Sequence, residues 1–169
     1  MTRSLVFIPV SFIVFLLLQV MLLQRIVLFD TAFCLAYAGF ILFAPMEIST
    51  VVLMLMGFGF GLSLDLFQNS AGVHASATVL LAFVRNYWLE FISPQGGYDA
   101  AGADSYDAHG LVWLLTYVAP LLLIHHFILF YVEAGGFHMF WTTFGKVFFS
   151  FLFTLTVLLL YRLFTGSRR

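Results

Sequence analysis

The sequence predicts an all-α, polytopic membrane protein with six transmembrane helices, and three observations predict it. Hydrophobic residues fill 63% of the 169 positions and charged residues only 9%, for a mean hydropathy of +1.06. A water-soluble domain of this size cannot cover that much apolar side chain with polar surface. The apolar residues also gather into runs close to the ~20 residues that a helical span needs. Most of the charged residues fall between those runs or at their ends. A transmembrane barrel would show short segments of period-two alternation and a polar lumen face, and neither is visible.

The spans follow in order at about 5–23, 26–44, 48–64, 73–92, 110–133 and 138–164. The first carries Pro9 in its opening turns, where proline is tolerated, and one clearly polar side chain, Gln19. No small-residue cleavage site follows it, so it reads as a retained helix and not a signal peptide. The second is the shortest. It crosses only if it begins near Ile26 with Asp30 in its first turn; otherwise it is a re-entrant segment. Pro45, Met46 and Glu47 end it. The third holds the run Gly57-Phe58-Gly59-Phe60-Gly61, and a polar turn from Asp65 to Gly72 leads into the fourth. The loop 93–109 is rich in Gly and Asp; the fifth span has Pro120 at its middle, and a tight turn at 134–137 leads to the sixth. The whole chain reads as one integral membrane domain.

Lys and Arg orient the spans, because cytoplasmic flanks carry the excess of positive charge. Arg3 precedes the first span, and Arg162, Arg168 and Arg169 close the last. Both termini are therefore expected in the cytoplasm, which requires an even number of crossings. Arg85 then lies near the cytoplasmic end of its span, the acidic loop is cytoplasmic, and Asp65 lies at the outer face. Arg25 is the exception.

The residues that stand out are Gly57, Gly61, Asp65, Gly72 and His74. Gly57 and Gly61 are four apart, so they share a helix face and allow a second backbone to approach closely. That second helix belongs either to the same bundle or to a partner. Asp65 either ends its helix or caps the next, or it anchors a partner, since an acid at membrane depth is costly and tends to have a task. His74 shares its neighbourhood. Two such residues do not make a metal site. His125 and His126 are adjacent, about 100° apart on a helix, so one is expected to face protein and the other lipid or an interface. Glu133 ends the fifth span and Lys146 lies about two turns into the sixth, so either an ion pair between them or a snorkelling lysine is expected. The lone thiol, Cys34, is read as a small core or lipid-facing residue. Catalytic motifs, phosphate loops and paired carboxylates are absent from the sequence, so no enzyme, cofactor or metal is expected. A net charge of -1 excludes nucleic acid as an expected partner.

Over Gly57, Gly59, Gly61, then Leu64, Asp65, Leu66, then Gly72 opening the next helix, the chain resembles the MreD family of bacterial rod shape-determining membrane proteins. Length, six-helix hydropathy and Arg-bearing termini agree across the chain. The resemblance implies a non-enzymatic scaffold of the cell-wall elongation complex in the bacterial cytoplasmic membrane. Implied partners are MreC, a single-span protein with an extracytoplasmic domain, together with RodA, a penicillin-binding transpeptidase and cytoplasmic MreB filaments. It also implies a fold similar to the substrate-binding subunits of energy-coupling factor vitamin transporters. The competing expectation is a small-molecule, vitamin-type binding subunit of a transporter. That reading calls for a pocket of convergent polar side chains near the outer face, where Asp65, Gln68, Asn69 and His74 are available.

Overall fold

Apolar runs of about 20 residues satisfy their own backbone only as helices, and the architecture follows from that. The computed structural model describes residues 2–93 and 110–166. Its long helices are α1 (Thr2–Met21), α3 (Thr50–Gln68), α4 (Val73–Phe91), α5 (Gly110–Glu133) and α6 (Phe140–Gly166). Between α1 and α3 lie a two-stranded hairpin, β1 (Val27–Leu28) and β2 (Ala32–Phe33), and the five-residue helix α2 (Ala38–Leu42). Four of the helical segments are long and apolar enough to cross a membrane: Ile8–Arg25, Thr50–Gln68, Gly110–Glu133 and Phe140–Thr165. The chain is thus a mostly helical protein of membrane-spanning character. α4, which carries His74, Arg85 and Glu90, is not among the four. The expected acidic loop lies, apart from Ser93, outside the described residues.

The long helices fall within a few residues of the expected spans, and 110–133 coincides with α5. The third is longer than its apolar run. It continues through Asp65 to Gln68, because Asn69 closes it with φ 54° and ψ 38°, a left-handed conformation that asparagine tolerates. Asp65 therefore belongs to the last turn of α3 and not to the loop after it.

The expected span at 26–44 is corrected: no continuous helix forms there. α1 delivers the chain to the end of the bundle where α3 finishes, since Gln19 and Gln24 share a cavity wall with Gln68. α3 starts at the opposite end, where Asn86 Nδ2 donates to Ile48 O and Thr50 Oγ1 at 2.9 and 3.1 Å. Residues 26–49 carry the chain that whole distance as hairpin, extended backbone and one short helix. Irregular backbone at such depth survives only where protein covers it, and residues 34–42 are all buried.

Its polar backbone groups are met by side chains of the helices around it. Phe33 N donates to Ser150 Oγ and Leu35 N to Thr154 Oγ1, both at 2.9 Å. Gln19 uses both ends of its amide: Nε2 donates to Cys34 O at 2.9 Å, and Oε1 accepts from Tyr37 N at 3.4 Å. At the far end Tyr117 Oη donates to Leu42 O at 2.7 Å. The buried Arg85 guanidinium finishes the segment, donating to Ala44 O and Pro45 O, and from Nε to Tyr117 Oη.

Aromatic contacts fill the space around α2. Phe40 stacks on Phe60 at 4.8 Å between centroids, and Phe12 of α1 meets both rings edge-on.

Candidate functional site

The α3–α4 joint gathers the residues that the sequence singles out. Gly57 and Gly61 both face α4. A methyl group built on Gly61 would stand 2.4 Å from Ala75 Cα, and one on Gly57 would stand 3.0 Å from Thr78 O. Neither glycine can be replaced without moving main chain. Thr78 then bridges the two helices, its Oγ1 within hydrogen-bond reach of Gly57 O and of its own helix's His74 O, each at 2.8 Å. Of the two alternatives left open by the spacing, the structure places this close approach inside the bundle. Gly59, between them, points outward and has nothing within 4 Å.

Asp65 ties the two helices at their common end. Its carbonyl closes α3 by accepting Asn69 N–H and Ser70 N–H. Its carboxylate opens α4: Oδ1 accepts His74 N–H and Oδ2 accepts Ala75 N–H, both at 2.9 Å. A helix start exposes unpaired N–H groups and a partial positive charge, so a carboxylate there is doubly favoured. The residue at the N-cap position is Gly72, with φ +83°, which has no side chain to cap with. Glycine is used there for its left-handed backbone, since no neighbour approaches within 4 Å. Ser70 Oγ donates to Asp65 Oδ1 at 2.6 Å, and His74 Nδ1 lies 3.0 Å from the same oxygen. Because that oxygen only accepts, Nδ1 carries the proton and Nε2 is left as an acceptor when the ring is neutral.

Around this joint lies a cavity of about 200 Å³, where the end of α1, the hairpin, the α3–α4 turn and the end of α5 meet. Its polar wall includes Gln19, Gln24, Gln68, Ser70, His74 and Glu133. Phe33, Leu129 and Phe130 contribute apolar wall. Gln68 Nε2 is buried without a hydrogen-bond partner among the described residues.

His74 also opens a row of rings through the core. Tyr37 lies 5.6 Å from it, His125 lies 5.3 Å beyond Tyr37, and His126 follows at 5.5 Å. His126 is anchored, with Nδ1 2.8 Å from Leu122 O and Nε2 3.1 Å from Thr154 Oγ1. Tyr37 Oη and both ring nitrogens of His125 are buried without partners among the described residues. The expectation that one of the two adjacent histidines faces lipid or an interface is corrected: both are at most 1% exposed. α5 is covered on both of those flanks, by the 34–37 segment and by α6. Of the two expectations for Glu133 and Lys146, the ion pair is not formed among the described residues; Lys146 holds its ammonium 5.8 Å from the centroid of the Phe33 ring.

Gly57, Gly61, Asp65, Gly72 and His74 thus form one structural unit. Sequence reasoning missed the second polar unit, in which Gln19, Ser150, Thr154, Tyr117 and Arg85 serve the irregular segment. The signal was present as polar side chains set singly into apolar runs. Among the described residues, no group of three or more His, Cys, Asp or Glu side chains could hold a metal ion. Comparison with protein-family models, with curated proteins and with solved structures returned no match to this chain.

Proposed function

We propose that this chain is a membrane docking subunit of the rod-shape, cell-wall elongation type. In that role it binds a single-span MreC-like partner and helps couple MreB filaments to the RodA and transpeptidase pair. The reading rests on the resemblance at 57–74, and one observation supports it. Three of the residues that carry the resemblance join α3 to α4: Gly57 and Gly61 by contact with Thr78 and Ala75, Asp65 by the four donors it accepts through its carboxylate. A joint of that kind builds a rigid surface. In this proposal the irregular segment and α4 complete six passes, with both termini in the cytoplasm and the α3–α4 joint at the outer face.

The surface so held is the outward side of α3. Val51, Leu55, Phe58, Leu62 and Leu66 are exposed there at helical spacing, and Gly59 lies among them. In lipid, helices associate through close packing where small residues allow it. A partner helix is therefore placed on Gly59, not on the buried Gly57 and Gly61.

The test is co-expression with the MreC-like protein of the same cell, solubilisation in mild detergent and affinity capture. Stable recovery of the pair is expected. Gly59→Leu is expected to lower recovery at least tenfold, about 1.4 kcal/mol, while the protein stays folded. Failure to capture the partner with the unaltered chain overturns the docking role, and full recovery with Gly59→Leu overturns its placement.

A further inference from the structure

We propose that the cavity beside His74 is a binding site for a small, flat, nitrogen-bearing molecule without negative charge, such as a carboxamide. This goes beyond the docking role and does not depend on it. Three features of the wall select that chemistry.

The first is charge. Glu133 is one of the lining residues, and among the described residues no Lys or Arg lines the cavity; the Lys146 ammonium lies 5.8 Å from the centroid of the Phe33 ring. The second carboxylate nearby, Asp65, stands behind His74 at 3.0 Å. An anion entering here would meet negative charge with no cation in the wall to offset it, while a neutral amide or a cation would not.

The second is the pattern of free hydrogen-bonding groups. The Gln19 amide is spent on the backbone of Cys34 and Tyr37, and Gln24 Nε2 donates to Val20 O. Among the groups left over are the Gln68 Nε2, unpaired among the described residues, the acceptor Nε2 that Asp65 leaves on His74, and the Glu133 side chain. A buried amide nitrogen without a partner costs about 1–3 kcal/mol. A ligand that offers one acceptor to Gln68 and N–H donors to His74 and Glu133 answers all three groups. A carboxamide carries that combination on one planar group.

The third is shape. The aromatic rings of Phe33 and Phe130, 5.8 Å apart and tilted by 50°, form one side of the cavity. Such walls suit a flat apolar body, and binding pockets commonly join an apolar lining to a few placed polar groups.

The experiment uses three probes of one shape and different charge: benzamide, benzamidinium and benzoate. Binding to the purified full chain in detergent is read by saturation-transfer NMR with titration. Benzamide and benzamidinium are expected to bind at least tenfold more tightly than benzoate. Glu133→Gln is expected to remove most of the discrimination against benzoate. Leu23→Trp, a half-buried wall position, is expected to fill the cavity and abolish benzamide binding while the melting temperature is unchanged. Equal binding of benzoate and benzamide overturns the proposal, as does the absence of binding by all three probes. Benzamide binding that survives Leu23→Trp in a folded protein overturns the location.

Discussion

Asp65 caps a helix to which it does not belong: its Oδ2 accepts the backbone N–H of Ala75, ten residues on, at 2.9 Å. One side chain thus replaces the cap that Gly72 cannot provide and holds α3 and α4 at a fixed angle. Asp65→Ala removes the acceptor for His74 N–H, Ala75 N–H and Ser70 Oγ together. The expected loss is about 3 kcal/mol, in the range for breaking a buried, charge-assisted network. Denaturant unfolding in detergent micelles checks it. A loss below about 0.5 kcal/mol, the size of an ordinary surface substitution, would contradict the capping role.

Two glycines of α3, Gly59 and Gly61, are expected to respond unequally to the same substitution. Gly61→Ala drives a methyl into the Ala75 main chain, so α3 and α4 must separate, at a cost of about 1–3 kcal/mol. Gly59→Ala meets open space and gains helix propensity of up to about 1 kcal/mol. Melting temperatures of the two variants, measured side by side, are expected to move in opposite directions.

Arg85 is irreplaceable by lysine if its fork is what matters. Nε reaches Tyr117 Oη, Nη1 reaches Asn86 Oδ1, both at 2.9 Å, and Nη2 serves the Ala44 and Pro45 carbonyls. An ammonium keeps the charge and loses the geometry. Arg85→Lys is expected to cost about 2 kcal/mol or more, within the range for hydrogen bonds to charged groups. It is also expected to speed hydrogen exchange or proteolysis at 43–49. Unchanged protection of that stretch would count against the clamp.

Tyr37→Phe is expected to leave stability unchanged or raise it by about 1 kcal/mol, because the hydroxyl is buried and unpartnered among the described residues. The ring keeps its place against Phe60, His74 and His125. A clear fall in melting temperature would show that the hydroxyl is hydrogen-bonded in the membrane-embedded protein.

The long helices were legible because lipid forces the backbone to satisfy itself, and apolar runs announce where it does. The joint was half legible. The four-residue glycine spacing marked a close approach, and Asp65 marked a polar contact, but the direction each faces depends on how α4 returns. That is a property of the Asn69–Gly72 turn and not of the runs. The irregular segment at 26–49 was not legible as a path, because its order comes from elsewhere. Leu35 takes its partner from Thr154 and Leu42 takes its partner from Tyr117, and nothing local to 26–49 names either. The cavity was legible only as a supply of polar residues near Asp65; Gln19, Gln24 and Glu133 reach it from distant parts of the chain.

The irregular segment at 26–49 has a consequence for the order of folding. Phe33 and Leu35 depend on Ser150 and Thr154, 117 and 119 residues downstream. Until that last helix is in place, the N–H groups of 33 and 35 lack the hydroxyls that accept them, so an early, local closure of this segment would leave both of them unmet.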